Sequence, residues 1–83
     1  FHDPKGVFVV DGGAKAAMRE RGMSLLVPGI IECAGRFEAG DVVKICDRNG
    51  TEFARGISKF SFDAVKNGAA KKVVVHRDNL VVL

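Results

Sequence analysis

The sequence predicts a mainly β domain: a small mixed β-barrel of about five to six strands with one or two short helices. Three observations carry that expectation. Short runs of β-branched residues recur along the chain, each bounded by Gly, Pro, Asn or Asp. The segment from Gly13 to Arg21 instead keeps helical spacing along its length. Asn49-Gly50 lies between two of the β-branched runs, and Asn-Gly is among the strongest short-range hairpin signals because both residues tolerate positive φ.

In chain order, Gly6-Val7-Phe8-Val9-Val10 reads as a strand, and Asp11-Gly12-Gly13 breaks it. The Asp11 carboxylate can accept from the free amides of a first helical turn. Ala14, Ala17 and Met18 share one face of the helix that follows, while Lys15 and Arg19 share another at i, i+4. Gly22 is the expected stop, since glycine takes the left-handed conformation at no steric cost. In Ser24-Leu25-Leu26-Val27-Pro28-Gly29-Ile30-Ile31, Pro28 cannot donate to a ladder, so a turn or edge falls there and the strand resumes to about Ala34.

Gly35 to Gly40 reads as a loop, Asp41 to Cys46 as a strand, Asp47 to Gly50 as a turn, and Thr51 to about Phe60 as the returning strand. Gly56 inside it marks a bulge or a point of close approach. Ser61 can cap a short helix to Lys66, ended by Asn67-Gly68. Val73-Val74-Val75 and Leu80-Val81-Val82 are the last strands, and His76-Arg77-Asp78-Asn79 between them reads as a tight hairpin return. Leu25, Leu26, Ile30 and Phe37 are core candidates.

The 83 residues make one domain, with Phe1 to Lys5 as a linker-like edge and 6–83 as the folded unit. A domain of this size buries roughly 60% of its unfolded surface, which suits one core and not a deep enclosed cleft. "HRD" also occurs in the catalytic loop of protein kinases, but there the Asn follows the Asp at a distance, and here Asn79 follows Asp78 directly. No glycine-rich phosphate loop accompanies it, so no catalytic residue is assigned. No apolar run approaches the ~20 residues that span a bilayer, and Phe1 to Lys5 lack the pattern of a signal peptide, so a cytoplasmic protein with no membrane partner is expected. Cys33 and Cys46 lack paired-ligand spacing, so free thiols, no metal and no cofactor are expected. The net charge of +3 permits an anionic partner without demanding one.

Five segments occur together in a recognisable order: "DGGAKAAM", "GMSLLVPGI", "GRFEAGDVV", "ARG" at 54–56 and "HRDNLVVL". Together they resemble the PUA domain, a small β-barrel found on RNA-modifying enzymes, over almost the whole chain. Within that group the chain is most similar to the C-terminal domain of bacterial glutamate 5-kinases, where "SLLPxGI", "GxFxxGDxV", "ARG" and "HRDNLVLL" share this order. It departs from that pattern at Val27, an extra residue before Pro28, at Ser58-Lys59-Phe60-Ser61 after "ARG", and in the short segment from Phe62 to Lys72. The resemblance implies a PUA-like fold and an accessory module whose amino-acid kinase domain lies outside this chain.

By position in the family, the resemblance implicates Lys15, Arg19, Arg21, Gly22, Ser24, Lys71, Lys72, His76 and Arg77 in contact with RNA. Lys15, Arg19 and Arg77 stand first, the helix pair because both are expected to be exposed and Arg77 because a hairpin tip leaves it free to reach. With no Trp and no Tyr in the chain, contacts to structured RNA are expected through shape and backbone rather than base stacking. The alternative is a regulatory or oligomerisation module that packs on its own kinase domain without binding RNA.

The chain by itself is expected to show no ATP-dependent phosphorylation of glutamate, since it carries no loop that cradles a phosphate. An ADP-release assay on the purified domain checks this, and turnover above the no-enzyme rate would overturn both the turn reading of "HRDN" and the family resemblance.

Overall fold

The computed structural model describes residues 3–83. The elements are β1 (Gly6–Val10), α1 (Gly12–Arg21), β2 (Leu25–Leu26), a 3₁₀ turn (Val27–Gly29), β3 (Ile30–Gly35), β4 (Val42–Cys46), β5 (Glu52–Ile57), α2 (Phe62–Lys66), β6 (Val73–Val75), a second 3₁₀ turn (Arg77–Asn79) and β7 (Leu80–Val82). Five strands form one sheet in the order β3-β1-β4-β5-β7, and β2 pairs with β6 in a separate ladder. The mixed character comes from β1, which runs antiparallel to β3 and parallel to β4. Seven strands are thus present among the described residues, the two-residue β2 included, and the ladder does not close on itself. Of the linker-like edge, Phe1 and His2 lie outside the described residues. By Lys5 the chain has joined the sheet, its N–H donating to the Val42 carbonyl at 2.8 Å.

Alternation on β1 explains the core. Gly6, Phe8 and Val10 point inward and are buried, while Val7 and Val9 are half-exposed. Phe8 meets Phe37 edge to face at 5.3 Å between centroids, and Phe37 meets Phe62 at 5.9 Å. Met18 from α1, Leu25 from β2, Cys33 from β3, Val43 and Ile45 from β4, Phe53 and Ala54 from β5, and Val74 and Val75 from β6 join the cluster. Each large apolar side chain among them contributes about 1.5–3 kcal/mol by leaving water. Leu25 and Phe37 are core residues as expected, and Ile30 packs against the cluster. Leu26 is not a core residue: it is 43% exposed, because the 3₁₀ turn after it redirects the chain before its side chain can be covered.

Two further expectations are corrected. The strand beginning near Thr51 stops at Ile57 rather than Phe60. Ser58, fully buried, turns the chain by donating its hydroxyl to the Phe60 carbonyl at 2.6 Å. The larger correction concerns the last two strands, which do not form a hairpin. β6 pairs with β2 and β7 with β5, so His76-Arg77-Asp78-Asn79 is a corner that carries the chain from the small ladder to the large sheet. The reason lies in β5. A Cβ at Gly56 would come within 2.5 Å of Val75 Cγ1 and 2.8 Å of the Asn79 carbonyl oxygen, so only a glycine lets the corner rest on the strand. Close approach is therefore the role of Gly56, with the corner as its neighbour, and the register shift of β5 falls instead opposite Ile45 and Cys46.

Gly56→Ala is expected to cost about 1–3 kcal/mol, because the obstruction includes backbone that cannot swing aside. Urea denaturation checks this, and an unchanged midpoint would mean that the corner can lift off β5.

Candidate nucleic-acid interface

The helix α1 is fixed at both ends by local chemistry. Asp11 Oδ1 accepts the Ala14 N–H at 2.7 Å, and Gly22 at φ +61° ends the helix, with the Met23 N–H returning to the Ala17 carbonyl at 3.1 Å. The start of α1 is pressed onto the first 3₁₀ turn. The Asp11 N–H donates to the Gly29 carbonyl at 3.0 Å, and a Cβ on Gly29 would meet Ala14 Cβ at 2.7 Å. An open groove of about 240 Å³ adjoins this contact, lined by Ala14, Ala17, Met23, Ser24, Leu26 and Pro28 together with residues of the contact itself. Met23 and Leu26 are both more than two-fifths exposed at its rim.

Ser24 ties this groove to the corner, its Oγ accepting the Arg77 N–H at 2.8 Å across 53 residues of sequence. That bond, with the Leu25–Val75 pairing beside it, gathers five of the expected residues into one region: Arg21, Gly22, Ser24, His76 and Arg77. Arg21 and Arg77 are exposed there. Arg77 belongs to the corner and not to a hairpin tip. Lys71 and Lys72, also exposed, lie toward the other end of the β2–β6 ladder, where the Lys72 carbonyl accepts the Val27 N–H at 2.9 Å. Lys72 holds φ +55°, a conformation that costs a non-glycine residue roughly 1–2 kcal/mol.

Lys15 and Arg19 are not part of this region. At 3.6 residues per turn, they project roughly 160–200° around the helix from the groove-lining Ala17. Lys15 is also not a solvated cation. Its Nζ bonds Asp47 Oδ2 at 2.8 Å in the turn between β4 and β5 and stands 5.4 Å from the centre of the Phe53 ring. The Lys15 hydrogen bond, followed by N–H donation from Thr51, holds the Asp47 carboxyl below its ordinary value. Glu52 is likewise lowered by its hydrogen bond to the Arg55 guanidinium, which is raised in turn. Arg19 is exposed.

Cys33 and Cys46 are free and buried, and burial pushes both thiols up, which suppresses the reactive thiolate. Phe8 lies between Cys33 and Ile45 in the sheet, so Cys33 and Cys46 flank β1 one residue out of step and face opposite sides. No group of three or more potential metal ligands occurs among the described residues, and no helix there is long and apolar enough to cross a membrane. The groove itself was missed at the level of sequence. Ala14 and Ala17 carry the spacing of a core face, and nothing local distinguishes a small residue under a neighbour from one that floors a groove.

A small mixed sheet, with a capped helix set beside a two-stranded ladder to leave an open groove, defines a recognisable class of domain. The chain belongs to the PUA domain family, whose profile matches residues 6–80. It is similar to the glutamate 5-kinase of Trichlorobacter lovleyi, 42% identical over 94 residues, and to that of Pelobacter propionicus, 37% identical over 94 residues. Each alignment covers 96% of this chain and 25% of the relative, so the chain spans about a quarter of the length of these proteins. Among solved structures, a PUA domain from Aeropyrum pernix superimposes with a TM-score of 0.78 at 30% identity, covering 88% of this chain and 41% of that one. A chain of the archaeal box H/ACA small ribonucleoprotein complex shares the fold, with a TM-score of 0.73 at 23% identity over 94% of this chain and 23% of its own.

Asp47→Asn is expected to lower the thermal midpoint at neutral pH. Because the folded carboxyl sits below its unfolded value, the stabilisation is present above the ordinary carboxylate range and fades as pH falls through about 4 and lower. The gap between variant and wild type should close on the acid side. A gap that stays constant down to low pH, read by circular dichroism, would remove the ion pair as its cause.

Proposed function

We propose that this chain is the accessory RNA-binding module of a glutamate 5-kinase, acting in the cytoplasm in proline biosynthesis and non-catalytic on its own. The observation that carries the reading is the open groove lined from α1 and β2, whose Ser24 accepts the Arg77 N–H, with the exposed Arg21 at the end of α1. Arginine neutralises and orients phosphates, and Gly22 has no side chain to keep a sugar-phosphate chain away from the loop. The apolar rim of Met23 and Leu26 offers contact to a ribose or a base edge without an aromatic platform. The RNA-protein assembly named among the fold's neighbours supports the same class of partner. Lys71 and Lys72 extend the positive face past the ladder, while Lys15 serves the fold instead.

The second reading is a regulatory or oligomerisation module that packs on its own kinase domain. A specific feature favours it: Val81, Val82 and Leu83 are 42%, 40% and 67% exposed at the β7 edge of the sheet.

The test is binding of a stem–loop RNA to the isolated domain across a salt series. Each neutralised phosphate contributes roughly −0.7 to −0.9 to the slope of log K against log salt. Arg21→Ala with Arg77→Ala should weaken binding alike for all RNA sequences and flatten that slope by about two contacts. Both side chains are exposed, and the Arg77 N–H bond to Ser24 survives the change, so folding should be little affected. No RNA binding even at low salt would leave the packing module as the better reading.

A further inference from the structure

At the start of the corner, one nitrogen of His76 has two partners. Its Nδ1 accepts the Asp78 backbone N–H at 3.1 Å and lies 3.6 Å from Asp78 Oδ2. The two contacts need opposite protonation states. Accepting the N–H requires a lone pair on Nδ1, hence a neutral ring with its proton on Nε2. Pairing with the carboxylate requires a proton on Nδ1, which removes that lone pair. The corner therefore has two capped states in reach of a small ring movement, one held by backbone and one by charge.

The surroundings leave Asp78 as the close charged neighbour. The flanking strands β6 and β7 contain only Val and Leu. β5, beneath the corner at Gly56, carries Glu52 and Arg55, which bond each other. The loop joined through Ser24 brings Arg21, Arg77 lies on the corner itself, and Lys72 precedes β6. The imidazole is 44% exposed, so protons and phosphates can reach it.

We propose that His76 is a proton-operated switch at this corner: protonation exchanges the Asp78 N–H for the Asp78 carboxylate and tightens RNA binding by the adjoining face. The proposal rests on the RNA-binding reading above. Its direction follows from charge. A cation added beside Arg77 and Arg21 favours a phosphate chain, and by linkage a bound phosphate chain favours the proton. The Arg77 N–H bond to Ser24, one residue along from His76, is the route by which the exchange reaches the groove.

Two measurements on the described domain test it together: affinity for the same stem–loop RNA, and amide NMR of the free protein, both from about pH 7.5 to about pH 5.5. Affinity should rise roughly two- to fivefold as pH falls, and the Asp78 and Arg77 amide signals should move with the His76 ring titration. His76→Asn supplies a cap acceptor that does not titrate, so both pH responses should disappear whatever its affinity near pH 7.5. If the Asp78 amide stays still while the ring titrates, or if the pH response of RNA binding survives in His76→Asn, the switch is overturned while the RNA reading stands. If no RNA binds at any pH or salt, the RNA reading falls and takes the coupling with it, while the amide titration still decides the cap exchange on its own.

Discussion

The close approach of the second 3₁₀ turn to β5 at Gly56 is the constraint on which the rest of this structure depends. It allows the chain to leave β6, rest its corner against the large sheet and continue as β7 along β5. β6 is held as well by its ladder with β2 and by the Lys59 N–H, which donates to the Val74 carbonyl at 2.8 Å. The groove is the space between a helix fixed by Asp11, Gly22 and Gly29 and a ladder fixed by this crossing. The Ser24–Arg77 bond then spans the two. The part of Gly56 is to let the corner, whose Arg77 N–H is bonded to Ser24, lie directly against β5.

The distribution of cations follows from the same architecture. With a net charge of only +3, a diffuse positive field would be weak. The ion pairs among the described residues engage Lys15 with Asp47 and Arg55 with Glu52, on the far side of α1 and along β5. Arg21, Arg77, Lys71 and Lys72 remain exposed along the β2–β6 side. Pairing takes Lys15 and Arg55 out of the free cations, while Lys5, Arg19, Arg36, Arg48, Lys59 and Lys66 are exposed as well, so the β2–β6 side carries only part of the exposed positive charge.

Features set by neighbours in sequence were legible before the structure. The caps of α1 and α2 and the Asp47–Gly50 turn depend on contacts within four residues, and sequence patterns report contacts of that range. Where reading failed, the deciding partner lay far along the chain. Lys15 looks solvated because helical spacing places it away from Ala17, but Asp47, 32 residues on, meets it there. "HRDN" looks like a hairpin because its residues favour turns, and they do turn; which strands pair is decided by β2 and β5. Leu26 and Ala17 carry the signature of a core in a place where the core has ended. The candidate site could therefore be named from sequence only as residue types on α1, the following loop and the last strands, and not as a geometry, since the groove exists only between elements.

The two functional readings are physically connected. The exposed strip Val81 to Leu83 begins two residues after the corner ends at Asn79, and β7 is hydrogen-bonded to the β5 strand on which the corner rests. A protein surface packed on that strip would press on the element that Ser24 joins to the groove. If it favoured one arrangement of the corner over the other, it would change affinity at the groove, and RNA at the groove would change packing at the strip by the same factor. Such coupling needs a bistable element between the two surfaces and not merely proximity. The His76–Asp78 cap is the place in this fold where two mutually exclusive bonding states converge on one atom. The proposed RNA groove and the apolar edge therefore need not compete as explanations, because Ser24 joins the corner to the groove and β7 continues from the same corner along β5.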